Sequence, residues 1–322
     1  MTGKIYKSTG SWYVVKTTDG ELWNGRLKGV FKLDEITSTN PLAVGDDVEL
    51  EPEPGDRRTA IITEIHDRRN YINRQSPSHR LHHHIVAANI DQSLLLVTLK
   101  EPRTSQGFID RWLVTCEAYH VPAILLFNKA DLYRAKEEEK FAAYREMYSA
   151  IGYRVFRMSV QTGDGLDAVK GLLRGKISLL SGHSGVGKSS FLNALFPAMN
   201  LKTREVSGWS GKGIHTTTFA EMFDLPEGAG TIGVDGGGIG VEDGRIIDTP
   251  GMREFGIVDI SKQELSGYFP EMRVLAGECQ FNNCLHVEEP GCAVKKAVED
   301  GRIHVERYVS YCNILGSIET AY

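Results

Sequence analysis

Residues 182–189 read Gly-His-Ser-Gly-Val-Gly-Lys-Ser, and this octapeptide constrains the chain more than any other stretch. It satisfies G-x-x-x-x-G-K-[ST], a loop that cradles phosphates. An apolar run, KISLLS, leads into it, and SSFLNALF follows before Pro197. The chemistry requires a strand, a glycine turn and a helix in that order. Glycines allow successive backbone N–H groups to turn inward onto phosphate oxygens, and the N-terminus of the next helix adds positive potential. Gly182, His183, Ser184, Gly185, Val186, Gly187, Lys188, Ser189 and Ser190 are therefore expected around the phosphates of a nucleotide. Lys188 would reach the β and γ oxygens as a catalytic cation, and Ser189 would ligate Mg²⁺.

The surrounding pattern sets the architecture. Apolar runs at 93–99, 123–128, 153–160 and 176–182 alternate with helix-like stretches, FIDRWLVTCEAYH and KEEEKFAAYREMYSAIG. Strands and helices alternating at this spacing predict a parallel sheet covered on both faces. In such a sheet the strand ends carry the site. Ile246-Ile247-Asp248-Thr249-Pro250-Gly251 places Asp248 at a strand end, where its carboxylate can hold Mg²⁺ through water, with the Gly251 N–H offered to the γ-phosphate. Asn128-Lys129-Ala130-Asp131 follows the run AILLF, and the Asp131 carboxylate can accept from guanine N1 and N2, donors that adenine lacks. Ser159 ends another strand and can bring a backbone N–H near the guanine O6.

These motifs run in an unusual order: base reader at 128–131, then 159, the phosphate loop at 182–189, and the metal-side aspartate at 248. Strand ends of a doubly wound sheet converge on one crevice whatever their order along the chain. A circular permutation of a GTPase accounts for all of them at once.

With "GKGIHTTT" at 211–218, "VAANIDQ" at 86–92 and a cysteine cluster beyond the nucleotide motifs, the chain resembles the RsgA (YjeQ) family of circularly permuted GTPases over nearly its whole length. The resemblance implies GTP hydrolysis to GDP and phosphate, stimulated by the small ribosomal subunit late in its maturation. It implies binding of that subunit and its rRNA. It also implies one of Thr216, Thr217 and Thr218 on Mg²⁺ (Thr217 is taken here) and His215 as the residue that orients water. Met252 stands where a Ras-like site has a glutamine, so slow intrinsic turnover is expected. The segment between Leu225 and Arg245 is longer and richer in glycine than the family pattern. Its G-x-G-x-x-G is not followed by a helix pattern, which excludes a dinucleotide loop.

Residues 1–72 read as short strands with turns at Asp19-Gly20 and Val44-Gly45-Asp46, a small barrel of OB or SH3-like type. The resemblance selects the OB-fold. Near the other end, Cys279, Cys284, His286 and Cys292 offer three thiolates and an imidazole, a closed tetrahedral set for one structural Zn²⁺. Their spacing differs from a C-x2-C ribbon and matches the resembled family. The expectation is a multi-domain chain. An OB-fold barrel (1–72) and a linker (73–84) precede a circularly permuted α/β P-loop GTPase domain (85–272). A small α-rich zinc-binding domain (273–322) with one C-terminal helix, AVKKAVEDGRIHVERYVSYCNIL, completes it.

Composition enters mainly through what it excludes. The 322 residues carry net charge −5, so any RNA contact rests on local patches: Arg68, Arg69, Arg74, Arg80 and nearby histidines, then Lys295, Lys296, Arg302 and Arg307, with Trp12, Tyr13 and Trp23 for stacking. No apolar run approaches the ~20 residues of a membrane span, and MTGKIYKSTGSWYVV has no signal-peptide pattern. A cytoplasmic monomer with no membrane partner is expected. Two other readings stay open at this point: a GTPase of another pathway, and a GTP sensor with little catalysis.

Overall fold

The computed structural model describes residues 1–9, 12–27, 41–55, 58–75, 83–196, 220–225, 244–249 and 260–318. The N-terminal strands are β1 (Thr2–Ser8), β2 (Tyr13–Thr17), β3 (Leu22–Leu27), β4 (Asp47–Pro52) and β5 (Thr59–Ile65). They pair in the order β1-β2-β3-β5-β4, and β4 returns to β1, which closes the barrel. Only β3 and β5 run parallel. Alternation along these strands turns Ile5, Val15, Val48, Leu50 and Ile62 inward, all fully buried. The expected OB-like barrel is present. Tyr13 belongs to its core, Trp23 is half-buried, and Trp12 stays exposed beside the Arg26 guanidinium.

Two strands, β6 (Tyr71–Gln75) and β7 (His83–Ala88), form an antiparallel pair, so the ends of the 73–84 segment are strand rather than free linker. The chain then enters the sheet. Its strands are β8 (Gln92–Thr98), β9 (Ala123–Asn128), β10 (Arg154–Arg157), β11 (Ile177–Ser181), β12 (Glu221–Asp224) and β13 (Arg245–Asp248). Their order is β10-β9-β8-β11-β13-β12, with all but β12 parallel. Every residue of β8 is buried, as expected for a strand covered on both faces. Leu95 and Val97 pack with Trp112 and Tyr148 on one face, while Leu94 and Leu96 pack with Leu180 and Phe191 on the other. The covering helices are α1 (Gln106–Ala118), α2 (Ala135–Ala150), α3 (Leu166–Leu172) and α4 (Lys188–Leu195).

β12 continues into the barrel through one pairing, Lys7 opposite Glu221. Lys7 binds Glu221 at 2.8 Å and Lys16 binds Asp224 at 2.7 Å across this seam.

Beyond the sheet lie α5 (Pro270–Arg273), α6 (Ala293–Glu299) and α7 (Val305–Ser317). The single terminal helix expected from sequence is two helices. Gly301 takes φ +71°, the Gly301 N–H donates to Val298 O, and the Arg302 N–H donates to Ala297 O. This glycine cap satisfies the last carbonyls of α6 and ends it. The helices pack Phe269, Met272, Val294 and Tyr311 around Val114 of α1.

Arg307 corrects another expectation. It is 1% exposed, with Nη1 donating to Asp110 at 2.6 Å and Nε donating to Glu271 at 2.7 Å. Tyr148 donates to the same Asp110 oxygen, and the guanidinium lies 4.6 Å from the Phe269 ring centre. Arg307 is therefore an internal joint between α7 and α1 and presents nothing to RNA. Arg68 is similarly engaged, bonded through two nitrogens to buried Asp46. Arg69, Lys296 and Arg302 remain exposed. Arg80, His79 and His82 lie outside the described residues, as do the side chains of Arg74, His83 and His84.

Candidate functional site

β11 ends at Ser181 and α4 begins at Lys188. Between them Gly182, Gly185 and Gly187 take φ of +145°, +87° and +102°, the left-handed region that lets the loop wrap with its N–H groups turned inward. The Lys188 ammonium arches back over this loop, donating to Gly182 O at 2.6 Å and His183 O at 3.3 Å. Burial lowers its pKa, and the nearby Asp248 carboxylate opposes that shift. Asp248 ends β13, buried, with its backbone paired to Leu180 of β11. Thr249 fixes the next turn by donating to Leu180 O at 3.0 Å. Ser189 and Ser190 follow Lys188 in the first turn of α4, half-buried.

The Asn128-Lys129-Ala130-Asp131 segment meets this loop directly. Asn128 ends β9, 2% exposed; its Nδ2 donates to Val186 O at 2.9 Å and its Oδ1 accepts from the Val160 N–H at 3.1 Å. The contact is so close that a Cβ on Gly187 would fall 2.5 Å from Asn128 Nδ2. One amide thus ties the phosphate loop to the loop after β10. Lys129 adopts φ +62°, which turns the backbone so that Ala130–Leu132 forms one helical turn held by Ala130 N–H to Met158 O at 3.1 Å. Asp131 faces solvent, and the Ser159 hydroxyl donates to its Oδ1. The Thr162 N–H in turn donates to Ser159 Oγ at 3.2 Å.

Motifs that lie 128, 159, 182 and 248 along the chain therefore share one crevice at the strand ends of a single sheet. Its lining offers the backbone of the glycine turn, a half-buried lysine, a buried carboxylate and an exposed carboxylate. Hard oxygen donors at Ser189 and Asp248 suit Mg²⁺. His215, Thr216, Thr217, Thr218, Gly251 and Met252 lie outside the described residues, as does the glycine-rich stretch 226–243.

Sequence reasoning missed the loop between β8 and α1, which grips both halves of the crevice. The Glu101 carbonyl accepts from the Lys129 ammonium. Buried Thr104 Oγ1 lies 2.7 Å from His183 Nε2, and Phe108 meets the same imidazole edge-on at 5.6 Å. Burial lowers the His183 pKa. The position of this loop at a strand end was the one clue available.

The Cys/His set also converges. The donor atoms of Cys279, Cys284, His286 and Cys292 lie within 4.8 Å of one another. His286 Nδ1 is 3.6 Å from Cys279 Sγ and 3.4 Å from Cys292 Sγ, and the two sulfurs are 4.0 Å apart. Ligands around tetrahedral zinc, at ~2.3 Å for sulfur and ~2.0 Å for nitrogen, sit roughly 3.5–3.8 Å from each other. The set fits such an ion. Tyr308 donates to His286 O at 2.6 Å and Tyr311 to Leu285 O at 2.8 Å, so α7 holds the ligand loop. Burial lowers the His286 pKa, which favours the neutral imidazole a metal needs.

Comparison with known proteins agrees with this geometry. Residues 2–62 match the RsgA N-terminal domain and residues 65–258 match the RsgA GTPase. The chain is 47% identical to the small ribosomal subunit biogenesis GTPase RsgA of Flavobacterium psychrophilum, over 100% of this chain and 94% of that one. It is 47% identical to the protein of the same name from Bacteroides fragilis, over 98% and 96%. The crystal structure of YjeQ from Thermotoga maritima superposes with TM-score 0.74 at 32% identity, covering 98% of this chain and 96% of that one. YloQ, described as a circularly permuted GTPase, gives 0.70 at 29% identity, covering 100% and 96%. A permuted strand order, a phosphate loop clasped by the Asn128 amide and full-length likeness to these proteins lead to one conclusion: the chain is a GTPase of the RsgA family.

Proposed function

We propose that this GTPase binds the small ribosomal subunit through its rRNA and hydrolyses GTP there, late in subunit maturation, as a cytoplasmic monomer. The observation that carries the reading is the Asn128 amide on Val186 O, which sets a guanine reader against a phosphate loop. Asp131 accepts from guanine N1 and N2, with Ser159 steadying its carboxylate; the Ser159 N–H expected near O6 donates instead to Asp164 O at 2.9 Å, and the Val160 N–H is taken by Asn128 Oδ1. Lys129 and Ala130 form the wall of the base pocket. Residues 182–190 surround the phosphates, Lys188 neutralises charge that develops on the β and γ oxygens, and Gly251 serves the γ-phosphate. Ser189 and Asp248 would hold Mg²⁺, which supplies charge neutralisation across the β and γ oxygens when bound. His215 and Thr217 are assigned to water orientation and metal contact by family pattern alone. Cys279, Cys284, His286 and Cys292 would hold one structural Zn²⁺. Among the described residues no helix is long and apolar enough to cross a membrane.

GTP turnover measured with and without purified small subunits tests this. Stimulation by subunits is expected. Turnover indifferent to subunits would move the protein to another pathway, and GTP binding without turnover would make it a sensor.

A further inference from the structure

A cleft of about 590 Å³ opens between the end of the 99–105 loop, α2 and the start of α7. Arg103, Ser105, Lys140, Tyr144, His304 and Glu306 line it. The chain as a whole is acidic, at net charge −5, yet cations gather here. Neither Arg103 nor Lys140 has an ion-pair partner among the described residues, and Lys140 lies over the Tyr144 ring at 5.3 Å. Burial, with Arg103 and Lys136 nearby, lowers the Lys140 pKa, while Glu306 opposes it. Arg103 and Lys140 face one carboxylate, Glu306, so the cleft keeps a net positive charge that an anion would relieve.

The neutral donors point the same way. Ser105 caps α1 by accepting from the Phe108 N–H, which leaves its hydroxyl proton free to donate. His304 Nδ1 accepts from the Glu306 N–H at 3.3 Å, so the neutral ring carries its proton on Nε2. The cleft thus assembles a guanidinium, an ammonium, a hydroxyl and an imidazole N–H above an aromatic wall, opposed by one carboxylate. A phosphodiester matches this, with anionic oxygens for the donors.

We infer that this cleft docks a phosphodiester of small-subunit rRNA. The inference rests on the functional reading above and names a surface for it. Its placement gives the docked strand a direct neighbour in the nucleotide site. Arg103 and Ser105 flank Thr104, which binds His183 of the phosphate loop, and Glu101 in the same loop receives Lys129.

Binding to purified small subunits, titrated across about 50–200 mM salt, tests it. The Arg103→Glu/Lys140→Glu chain is expected to bind at least ~10-fold more weakly, with a log–log salt slope shallower by about one to two. Lys140→Glu alone leaves subunit-free GTP turnover at the wild-type rate. Glu306→Gln removes the opposing carboxylate and is expected to bind more tightly, a gain that misfolding cannot imitate. Wild-type affinity and slope in the double variant, with the wild type binding well, would overturn the cleft and spare the functional reading. Weaker binding with an unchanged salt slope would assign the cleft to a ribosomal protein and overturn the RNA contact. A wild type that binds no subunit would remove both.

Discussion

The nucleotide crevice and the Cys/His cluster solve the same problem, bringing polar groups to one point, by opposite means. The crevice gathers Asn128, Ser159, Lys188 and Asp248 from 121 residues of chain. Backbone ladders between parallel strands put them there, so their order in sequence is immaterial. The cluster gathers its ligands from 14 residues, which hold almost no regular structure before α6. An extended sheet supplies the scaffold in one case. In the other, the face of α7 supplies it, together with the one structural ion proposed for the four ligands. The crevice should therefore survive changes that the cluster does not, and the converse should hold for substitutions at Asp131, the proposed base reader.

Removing the metal tests the difference at its largest. Structural zinc contributes roughly 10–16 kcal/mol to ordering small ligand loops at neutral pH. Chelation, or Cys284→Ser, is expected to unfold the loop from 279 to 292 while GTP binding persists. Loss of zinc, proteolysis of the C-terminal segment and nucleotide titration on one sample would show it. Parallel loss of GTP binding would mean the crevice depends on the ion after all.

Arg307 bears on how independent the two regions are, because among the described residues it is the cation buried between carboxylates of α1 and α5. Arg307→Ala leaves Asp110 and Glu271 as buried charges without their cation, at a cost of about 3–5 kcal/mol. Denaturant unfolding with zinc present should register that loss. Arg307→Met with Asp110→Asn should recover part of it, since fewer uncompensated charges remain. A loss under about 1 kcal/mol would mean the joint is solvated in solution.

What the sequence disclosed follows the same division. The phosphate loop, the strand runs at 93–99 and 123–128, and the Cys/His spacing are local patterns that chemistry dictates directly. Even the convergence of distant motifs was legible, because parallel strands have one functional edge. Contacts set by side-chain packing were not. Thr104 meets His183 only because α1 packs where it does, 79 residues from the phosphate loop. Arg307 lies on a helix whose exposed neighbours disguise it, and its partner Asp110 is 197 residues away. The break between α6 and α7 is a different kind of miss. Asp300-Gly301 is a legible stop signal that the continuous apolar pattern around it outweighed.

On the crevice side, Asp131→Asn exchanges an acceptor carboxylate for an amide that presents donors to guanine N1 and N2. Hydrogen bonds to a charged group are worth about 1.5–3 kcal/mol, so GTP affinity should fall roughly 10–100-fold. Xanthosine triphosphate, which carries an acceptor at position 2, should gain. Zinc content should not change. Unaltered GTP affinity would show that Asp131 does not read the base.

Ser159→Ala probes the same contact one step back. The Ser159 hydroxyl donates to Asp131 Oδ1 and accepts from the Thr162 N–H, so it sets where the carboxylate points without meeting the base through its side chain. Losing one hydrogen bond of this kind costs about 1 kcal/mol, or roughly fivefold in GTP affinity. Because the change loosens the carboxylate and leaves its charge, discrimination against xanthosine triphosphate should persist while affinity for GTP declines. Ser159→Thr restores the hydroxyl and should restore affinity. A preference that shifts towards xanthosine triphosphate in Ser159→Ala would mean the hydroxyl itself contacts guanine, and that base selection is divided between two strand ends.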